Sequence, residues 1–223
     1  MGVQSHVESA PGPQVDLYVR AALTAVSPGD GAAVPAGERA RSRIRFATTR
    51  ALCEAFPDLL KKIGAEPTDQ CPIGFLKALV PQRKLDAAVS FCTYLLPRRE
   101  AVWWACSCAR ALLGDIPQDE AHGLLAAEAW VADPNDERRR IALAIGRDGT
   151  SGNPLTWLAL AAGWSGGLLS AHPKVPRPMP TYLTAHAARV AVLISAYRLN
   201  KDQRAARLKA CIAEAIELAE EGL

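Results

Sequence analysis

The sequence predicts an all-α protein, and three observations support that fold class. Alanine and leucine are abundant, while aromatic residues make up only 6% of the 223 residues, and this composition favours helices over strands. Apolar residues recur three and four positions apart through most of the chain, as they do on the buried face of a helix. Proline and glycine interrupt this spacing often enough to separate short helices. We therefore expect a compact array of helical hairpins, with a short solenoid-like stack as an open alternative.

Residues 1–40 are predicted to form a flexible N-terminal arm, because Gly, Pro, Ala and Ser are frequent there and helical spacing is weak. One short amphipathic helix is expected within the arm, over residues 15–26. Residues 41–223 are predicted to form a single all-α domain, since one domain is the better expectation for a chain of this length. The N-terminus has no charged stretch followed by an apolar run, so no signal peptide is expected.

Prolines mark the first helices of the predicted domain. A helix is expected over residues 44–63, and Pro57 should kink or divide it. A linker follows, and a short helix should then run from Pro72 to Val80, where Pro81 ends it. Both segments carry apolar residues at helical spacing, so both should pack on the core.

Residues 85–113 are predicted to form a helix–helix corner around Pro97. The apolar residues of its first helix share one face, and they are Leu85, Ala88, Val89, Cys92, Leu95 and Leu96. Pro97 suits the first position of the second helix, because an N–H at that position has no intrahelical acceptor. The buried stripe expected on the second helix is Ala101, Trp104, Ala105, Cys108 and Leu112. Gly114 should end this helix.

Five further helices are expected in the C-terminal half, each from a signal at its start. They begin near Pro117, Asn135, Leu155, Thr184 and Asp202, and the first, second and fourth end near Ala132, Ile145 and Leu199. Asp133, Thr184 and Asp202 are the expected N-caps, while Asp119 and Glu120 should lie in the first turn of the first of these helices. Residues 172–180 hold four prolines and are expected to form extended, polyproline-like chain.

Cysteine and histidine are not spaced as metal ligands. Five of the six cysteines lie in helical patterns among apolar neighbours, where cysteine acts as a small hydrophobic residue; these are Cys53, Cys92, Cys106, Cys108 and Cys211. Cys106 and Cys108 should point about 200° apart on a helix, so they can neither form a disulfide nor bind one metal together. No Cys-x-x-Cys or His-x-x-x-His spacing occurs. We therefore predict no metal, no cofactor and a reducing, cytoplasmic compartment.

Charge and hydropathy argue against two classes of partner. A net charge of +3 is small for a nucleic-acid-binding protein. The basic cluster over residues 39–50 is more simply a solvated helix start, with nucleic-acid binding there as an alternative. Residues 149–173 carry no formal charge, but their apolar run is shorter than the ~20 residues that a membrane span requires. We expect a buried core segment there, no membrane span and no nucleic-acid partner.

The sequence indicates no catalytic residues. No phosphate-binding Gly-x-x-x-x-Gly-Lys loop occurs, and the glycines of residues 163–167 lack a nearby lysine. His122, His172 and His186 are far apart in the chain. The protein is therefore predicted not to be an enzyme and to act by binding. The alternative is an enzyme or small-ligand-binding protein with a pocket between the Trp104 helix and residues 157–167.

The candidate interaction surface lies on the second helix of the corner. Trp104 belongs to the buried stripe, but Trp103 should point about 100° away from it. Trp103 shares a helix face with Arg99 and Arg110. A tryptophan between arginines is typical of an interface anchor, or of a cation–π contact within one protein. The alternative is that both tryptophans are buried under neighbouring helices.

Two arginines begin the same helix. Arg98 and Arg99 lie at the positive end of its dipole, so we expect them to have partners, either Glu100 or an acid on another helix. The predicted protein-interaction residues are Arg98, Arg99, Trp103 and Arg110.

Two stretches together resemble a known family. They are Leu96-Pro-Arg-Arg-Glu-Ala-Val-Trp-Trp-Ala105 and Trp157-Leu-Ala-Leu-Ala-Ala-Gly-Trp-Ser-Gly-Gly-Leu168. Over residues 75–196 the chain resembles an uncharacterised bacterial all-helical family, a domain of unknown function often encoded among type VI secretion genes near spike and effector-adaptor proteins. The N-terminal arm and the last helix lie outside the resemblance.

The resemblance implies a role but no site. It implies no enzymatic activity and no agreed binding residues, so none is transferred to this chain. It implies an accessory or adaptor factor that loads type VI effectors or spike components. This implication rests on the genomic neighbourhood of the family's genes. The expected partner is therefore a secretion effector or a spike component. The sequence leaves the oligomeric state open.

Overall fold

The computed structural model describes residues 46–64, 66–170 and 177–220. In these ranges it contains ten helices and one two-stranded antiparallel sheet, so the all-α prediction is confirmed. The arm predicted over residues 1–40, with its helix over residues 15–26, lies outside the described residues.

The helices are numbered in chain order. They are α1 (Thr49–Ala55), α2 (Pro57–Ile63), α3 (Pro72–Leu79), α4 (Leu85–Leu95), α5 (Arg98–Leu113), α6 (His122–Ala132), α7 (Asp136–Asp148), α8 (Pro154–Gly163), α9 (Tyr182–Tyr197) and α10 (Lys201–Glu220). Strand β1 (Leu168–Ser170) pairs with β2 (Arg177–Pro178). The sequence predicted polyproline-like chain over residues 172–180, and in the described part of that segment β2 is a strand instead.

The helix–helix corner over residues 85–113 is confirmed as α4 and α5. Pro97 is the N-cap of α5 rather than its first residue, and its carbonyl oxygen accepts a hydrogen bond from Ala101 N at 2.8 Å. The predicted stripe of α5 is buried, and Trp104 is fully enclosed. The indole Nε1 of Trp104 donates to the carbonyl oxygen of Cys211 at 2.8 Å. This bond connects the middle of α5 to α10.

Several helices begin later than predicted because local turns or caps intervene. The helix expected over residues 44–63 is divided at Pro57, and the hydroxyl of Thr48 caps its first half by accepting from Ala51 N at 3.1 Å. α6 begins at His122, since residues 117–121 form a turn first. The two predicted first-turn acids of α6 therefore precede the helix.

Three predicted N-caps are wrong. α7 is capped by Asn135 and not by Asp133, and Asn200 caps α10 in place of Asp202. Each of these asparagines accepts from the N–H three residues further on, at 2.9 Å. Thr184 lies within α9 and caps nothing. The start of α7 and the start of α10 each have two good capping residues, two positions apart. The sequence does not show which of the two caps the helix.

α8 lies at the centre of the fold. All ten of its residues are buried, and it contacts α5, α6, α7 and α9. The crossing with α7 is close, because a Cβ at Gly163 would be 2.7 Å from Leu143 Cα and one at Gly146 would be 2.7 Å from Leu160 Cγ. Gly146 is therefore a packing residue inside α7, which continues past its predicted end.

The apolar segment predicted to be buried is confirmed in α8. No helix in the described ranges is both long enough and apolar enough to cross a membrane. The five cysteines predicted to act as small hydrophobic residues are buried and unpaired, and Cys71 is exposed. Buried apolar residues from α1 to α10 form one connected core.

Candidate functional site

Trp103 points out of the fold. It is 43% exposed, whereas the adjacent Trp104 is 0% exposed. Consecutive residues of a helix point about 100° apart, and the core lies on the Trp104 side of α5. The predicted outward orientation of Trp103 is confirmed, and the alternative in which both tryptophans are buried is wrong.

Arg110 binds a carboxylate on α6. Its Nε lies 2.6 Å from Glu128 Oε1 and its Nη2 lies 2.7 Å from Oε2, so the two side chains form a bidentate pair. The hydrogen bond that Arg110 donates to Glu128 raises the pKa of Arg110. The arginine side chain is 53% exposed and the glutamate 33%. The pair therefore fixes the position of Arg110 more than it stabilises the fold.

Arg99 also reaches α6, one turn before Trp103. Its Nε donates to the carbonyl oxygen of Val131 at 2.8 Å. Val131 lies in the last turn of α6, where carbonyl groups lack intrahelical donors and carry partial negative charge. The arginines on either side of Trp103 along α5 are thus both bonded to α6.

Leu125 adds a second exposed apolar side chain that sequence reasoning missed. It is 43% exposed and lies three residues before Glu128, on the same face of α6. The available signal was the Leu124-Leu125 pair, which resembles the Trp103-Trp104 pair, because adjacent residues of a helix point about 100° apart. We call Arg99, Trp103, Arg110, Leu125 and Glu128 the α5–α6 surface.

Arg98 does not belong to the α5–α6 surface. It lies about 140° around the helix from Trp103, and its Nη1 donates to the carbonyl oxygen of Ser165 at 2.6 Å. Burial lowers the pKa of Arg98. Within the described ranges Arg98 and Arg99 do not pair with acids as predicted. Both donate instead to carbonyl groups close to helix C-termini, which need donors.

The segment after α8 has a spacing that was not recognised from the sequence. Residues 163–167, Gly-Trp-Ser-Gly-Gly, match the Gly-x-Ser-x-Gly pattern around hydrolase nucleophiles. In those enzymes the serine follows a strand and precedes a helix, whereas Ser165 follows α8 and precedes β1. Gly167 has a φ of +82°, and the guanidinium of Arg139 lies 2.8 Å from where its Cβ would be. Gly167 therefore allows a turn that packs against Arg139.

A small cavity lies between the end of α4 and the starts of α5 and α9. Its volume, taken as the space open to the centre of a water molecule, is about 10 Å³, which is room for about one water. Tyr94 and Thr184 line it, and neither of their hydroxyls has a hydrogen-bond partner within the described residues. No residue of 157–167 lines it. It is therefore not the pocket that the alternative placed beside the Trp104 helix.

His186 is a histidine whose pKa is strongly shifted. It is mostly buried, with its ring 6.1 Å from that of Trp157. Burial and the nearby charges of Lys62 and Arg189 lower the pKa of His186 to about 4, so the ring is neutral at pH 7. In the described ranges no three His, Cys, Asp or Glu side chains could together hold a metal ion.

Most of the basic cluster over residues 39–50 lies outside the described residues. Arg50 is the member that the structure includes, and its Nε forms a 2.8 Å salt bridge to Asp69 on the surface. The remaining arginines are Arg39, Arg41, Arg43 and Arg45.

The chain matches a known protein family. The model of a family described as "Family of unknown function (DUF6931)" matches residues 75–219. The match begins where the resemblance was expected to begin, and it extends past residue 196 into the last turn of α10, which was expected to lie outside. No curated protein and no solved structure matches the chain. The chain belongs to the DUF6931 family.

Proposed function

We propose that the chain is a non-enzymatic accessory or adaptor factor that binds a protein partner through the α5–α6 surface. Trp103 carries the proposal, because its large indole is 43% exposed between two arginines that are both bonded to α6. Tryptophan and arginine are enriched among the residues that dominate binding energy at protein interfaces.

The α5–α6 surface has the composition of a small interface. Trp103 and Leu125 supply exposed apolar area, while Arg99, Arg110 and Glu128 supply charged groups around it. Because both arginines are already held by bonds within the protein, they lose little side-chain freedom when a partner binds. A partner with an apolar depression for the indole and polar groups at its edge would fit this surface.

The class of partner follows from the family resemblance. The stretches over residues 96–105 and 157–168 resemble a bacterial family encoded among type VI secretion genes. We therefore propose a cytoplasmic role in loading a secretion effector or a spike component. The DUF6931 match supports membership of an uncharacterised family and adds no activity.

A quantitative capture experiment in the native host tests this proposal. The tagged wild-type chain, Trp103→Ala and Ile141→Ala are expressed at equal levels and purified, and co-purifying proteins are measured by mass spectrometry. Ile141 lies on α7 and is 51% exposed. Its substitution is the matched control, since it removes a similarly exposed apolar side chain from a different helix.

We expect an effector or spike protein to co-purify with the wild-type chain and with Ile141→Ala. Its recovery with Trp103→Ala should fall roughly tenfold or more, as loss of an interface anchor predicts. Equal recovery from all three chains would contradict the surface assignment. A specific partner that is neither an effector nor a spike protein would contradict the secretion role and leave the surface assignment standing.

A further inference from the structure

Tyr197 is an exposed aromatic side chain that its neighbours hold in place. It is the last residue of α9 and is 57% exposed, more than Trp103. Its hydroxyl donates to Asp86 Oδ2 at 2.5 Å, in the first turn of α4. The guanidinium of Arg204 on α10 lies 4.2 Å from the centre of the Tyr197 ring, which is a cation–π contact. The start of α4, the end of α9 and the start of α10 therefore meet at this ring.

Basic residues surround Tyr197 on these three helix ends. Four of them are exposed and the fifth is half-buried, and they are Arg83, Lys84, Arg198, Lys201 and Arg204. Within the described ranges none of the five forms a salt bridge. The acids on the same helix ends are Asp86 and Asp202, so the excess is three positive charges, as large as that of the whole chain. We call the five basic residues and Tyr197 the α4–α9–α10 patch.

Arg83 adopts a backbone conformation that is unfavourable for arginine. Its φ is +56°, in the left-handed region that glycine adopts most easily. The N–H of Arg83 donates to the carbonyl oxygen of Val80 at 3.1 Å, and that of Lys84 donates to the carbonyl oxygen of Leu79 at 3.2 Å. These two bonds end α3 in a geometry where glycine is usual at the position of Arg83. The arginine costs stability there, and what it adds is a positive charge next to Lys84.

The charge and composition of the α4–α9–α10 patch restrict its partner. An excess of positive charge favours an acidic partner. Asp86 and Asp202 would repel a continuous phosphate backbone, and the net charge of the chain is small for a nucleic-acid-binding protein. Tyrosine and arginine are enriched at protein interfaces. An acidic segment of a protein therefore fits the patch better than a nucleic acid does.

We propose that the α4–α9–α10 patch binds an acidic segment of a partner protein. Carboxylates of that segment pair with the exposed charges of Lys84 and Lys201, and one of its apolar side chains packs on the ring of Tyr197. Because Asp86 and Arg204 already hold this ring, Tyr197 loses little side-chain freedom on binding. The patch lies on other helices than the α5–α6 surface, and its binding does not depend on the function proposed for that surface.

Binding of the full chain to labelled poly-L-glutamate, measured by fluorescence anisotropy, tests the proposal. A labelled oligothymidylate with the same number of negative charges is the comparison. We expect saturable binding of poly-L-glutamate that weakens as salt screens the charges, and weaker binding of the oligothymidylate. No saturable binding of poly-L-glutamate at low salt overturns the proposal. Tighter binding of the oligothymidylate overturns it in favour of a nucleic-acid site.

Substitutions of exposed residues locate the binding. Lys84→Gln and Lys201→Gln each remove one exposed charge, and each should raise the Kd for poly-L-glutamate roughly two- to fivefold. Tyr197→Ala should raise it roughly tenfold, because it removes the aromatic anchor. Arg140→Gln is the matched control, since it removes one charge from a 67% exposed side chain on α7, and it should leave the Kd unchanged. Equal weakening by Arg140→Gln would show a response to overall charge and overturn the proposal.

Arg83→Gly separates binding from stability. Glycine relieves the backbone strain at this position, so the unfolding temperature of the variant should rise. Its Kd for poly-L-glutamate should nevertheless increase, because the variant lacks one charge of the patch. A Kd that Arg83→Gly, Lys84→Gln and Lys201→Gln all leave unchanged overturns the proposal.

Discussion

The guanidinium of Arg98 lies 2.6 Å from the carbonyl oxygen of Ser165, a residue 67 positions further along the chain. Arg139 donates to the carbonyl oxygen of Gly163 in the same turn, at 3.1 Å. The two stretches on which the family resemblance rests, residues 96–105 and 157–168, therefore meet where α5 begins and α8 ends. Both stretches therefore have a structural role in the contact between the start of α5 and the end of α8. The exposed Trp103 faces away from this contact.

Trp103 and Trp104 should differ sharply in their effect on stability. Trp104→Ala should lower the free energy of unfolding by about 3–5 kcal/mol, because it empties a fully buried site. Trp103→Ala should lower it by less than about 1 kcal/mol, since much of that side chain is already in water. Urea unfolding at equal protein concentration measures both values. Similar losses for the two variants would mean that Trp103 is part of the core.

The crossing of α7 and α8 should not tolerate a methyl group at Gly163. A Cβ there would lie 2.7 Å from Leu143 Cα, so Gly163→Ala should cost about 1–3 kcal/mol through overpacking. Gly152→Ala is the matched control, because a Cβ at Gly152 meets nothing within 4 Å. Thermal unfolding of both variants should show a clear loss for the first and little change for the second. Equal unfolding temperatures would show that the helices can separate without cost.

Acid should destabilise the protein partly through His186. Its pKa is about 4 in the folded state and near the usual 6.5 when unfolded, so between these values the unfolded chain binds more protons. His186 makes its full contribution to the free energy of unfolding above about pH 6.5. As the pH falls towards 4, this contribution is lost, and the free energy of unfolding decreases by up to about 3 kcal/mol. Urea unfolding at a series of pH values measures this slope, which His186→Gln should reduce. A slope that the variant keeps would assign the effect to carboxylates.

The cysteines should divide into one reactive thiol and five protected ones. Cys71 is exposed and the other five are buried. Burial raises the pKa of Cys53, Cys92 and Cys106, which leaves little of the reactive thiolate at neutral pH. Titration of the reduced native protein with a disulfide reagent should therefore show one fast thiol, and all six after unfolding. Several fast thiols in the native protein would indicate that a helix bearing them opens readily.

The features of this structure that follow from helical geometry could be predicted from the sequence. The opposite exposure of Trp103 and Trp104 follows from the angle between adjacent helical residues, and the corner at Pro97 follows from apolar spacing on both sides of it. In the last helix, Leu208 and Ile212 stand four residues apart, as residues of one helix face do, and both are buried.

Contacts between distant segments could not be read in the same way. Arg98 and Arg99 were expected to bind acids, yet each donates to a carbonyl group close to the end of a helix. Every helix end offers such carbonyls, and the sequence does not say which end comes within reach. Leu125 was missed for a related reason, because α6 is apolar on several sides and its outward face depends on where α5 and α8 lie.

The most direct test of the α5–α6 surface is the affinity of a purified partner, recovered with the wild-type chain, for each variant by isothermal titration calorimetry. The Kd for Trp103→Ala should rise roughly 30-fold or more, since an aromatic anchor contributes about 2 kcal/mol or more to binding. Ile141→Ala should bind like the wild-type chain, and all three chains should unfold within a few degrees of one another. A Kd that Trp103→Ala leaves unchanged would contradict the assignment of this surface to partner binding.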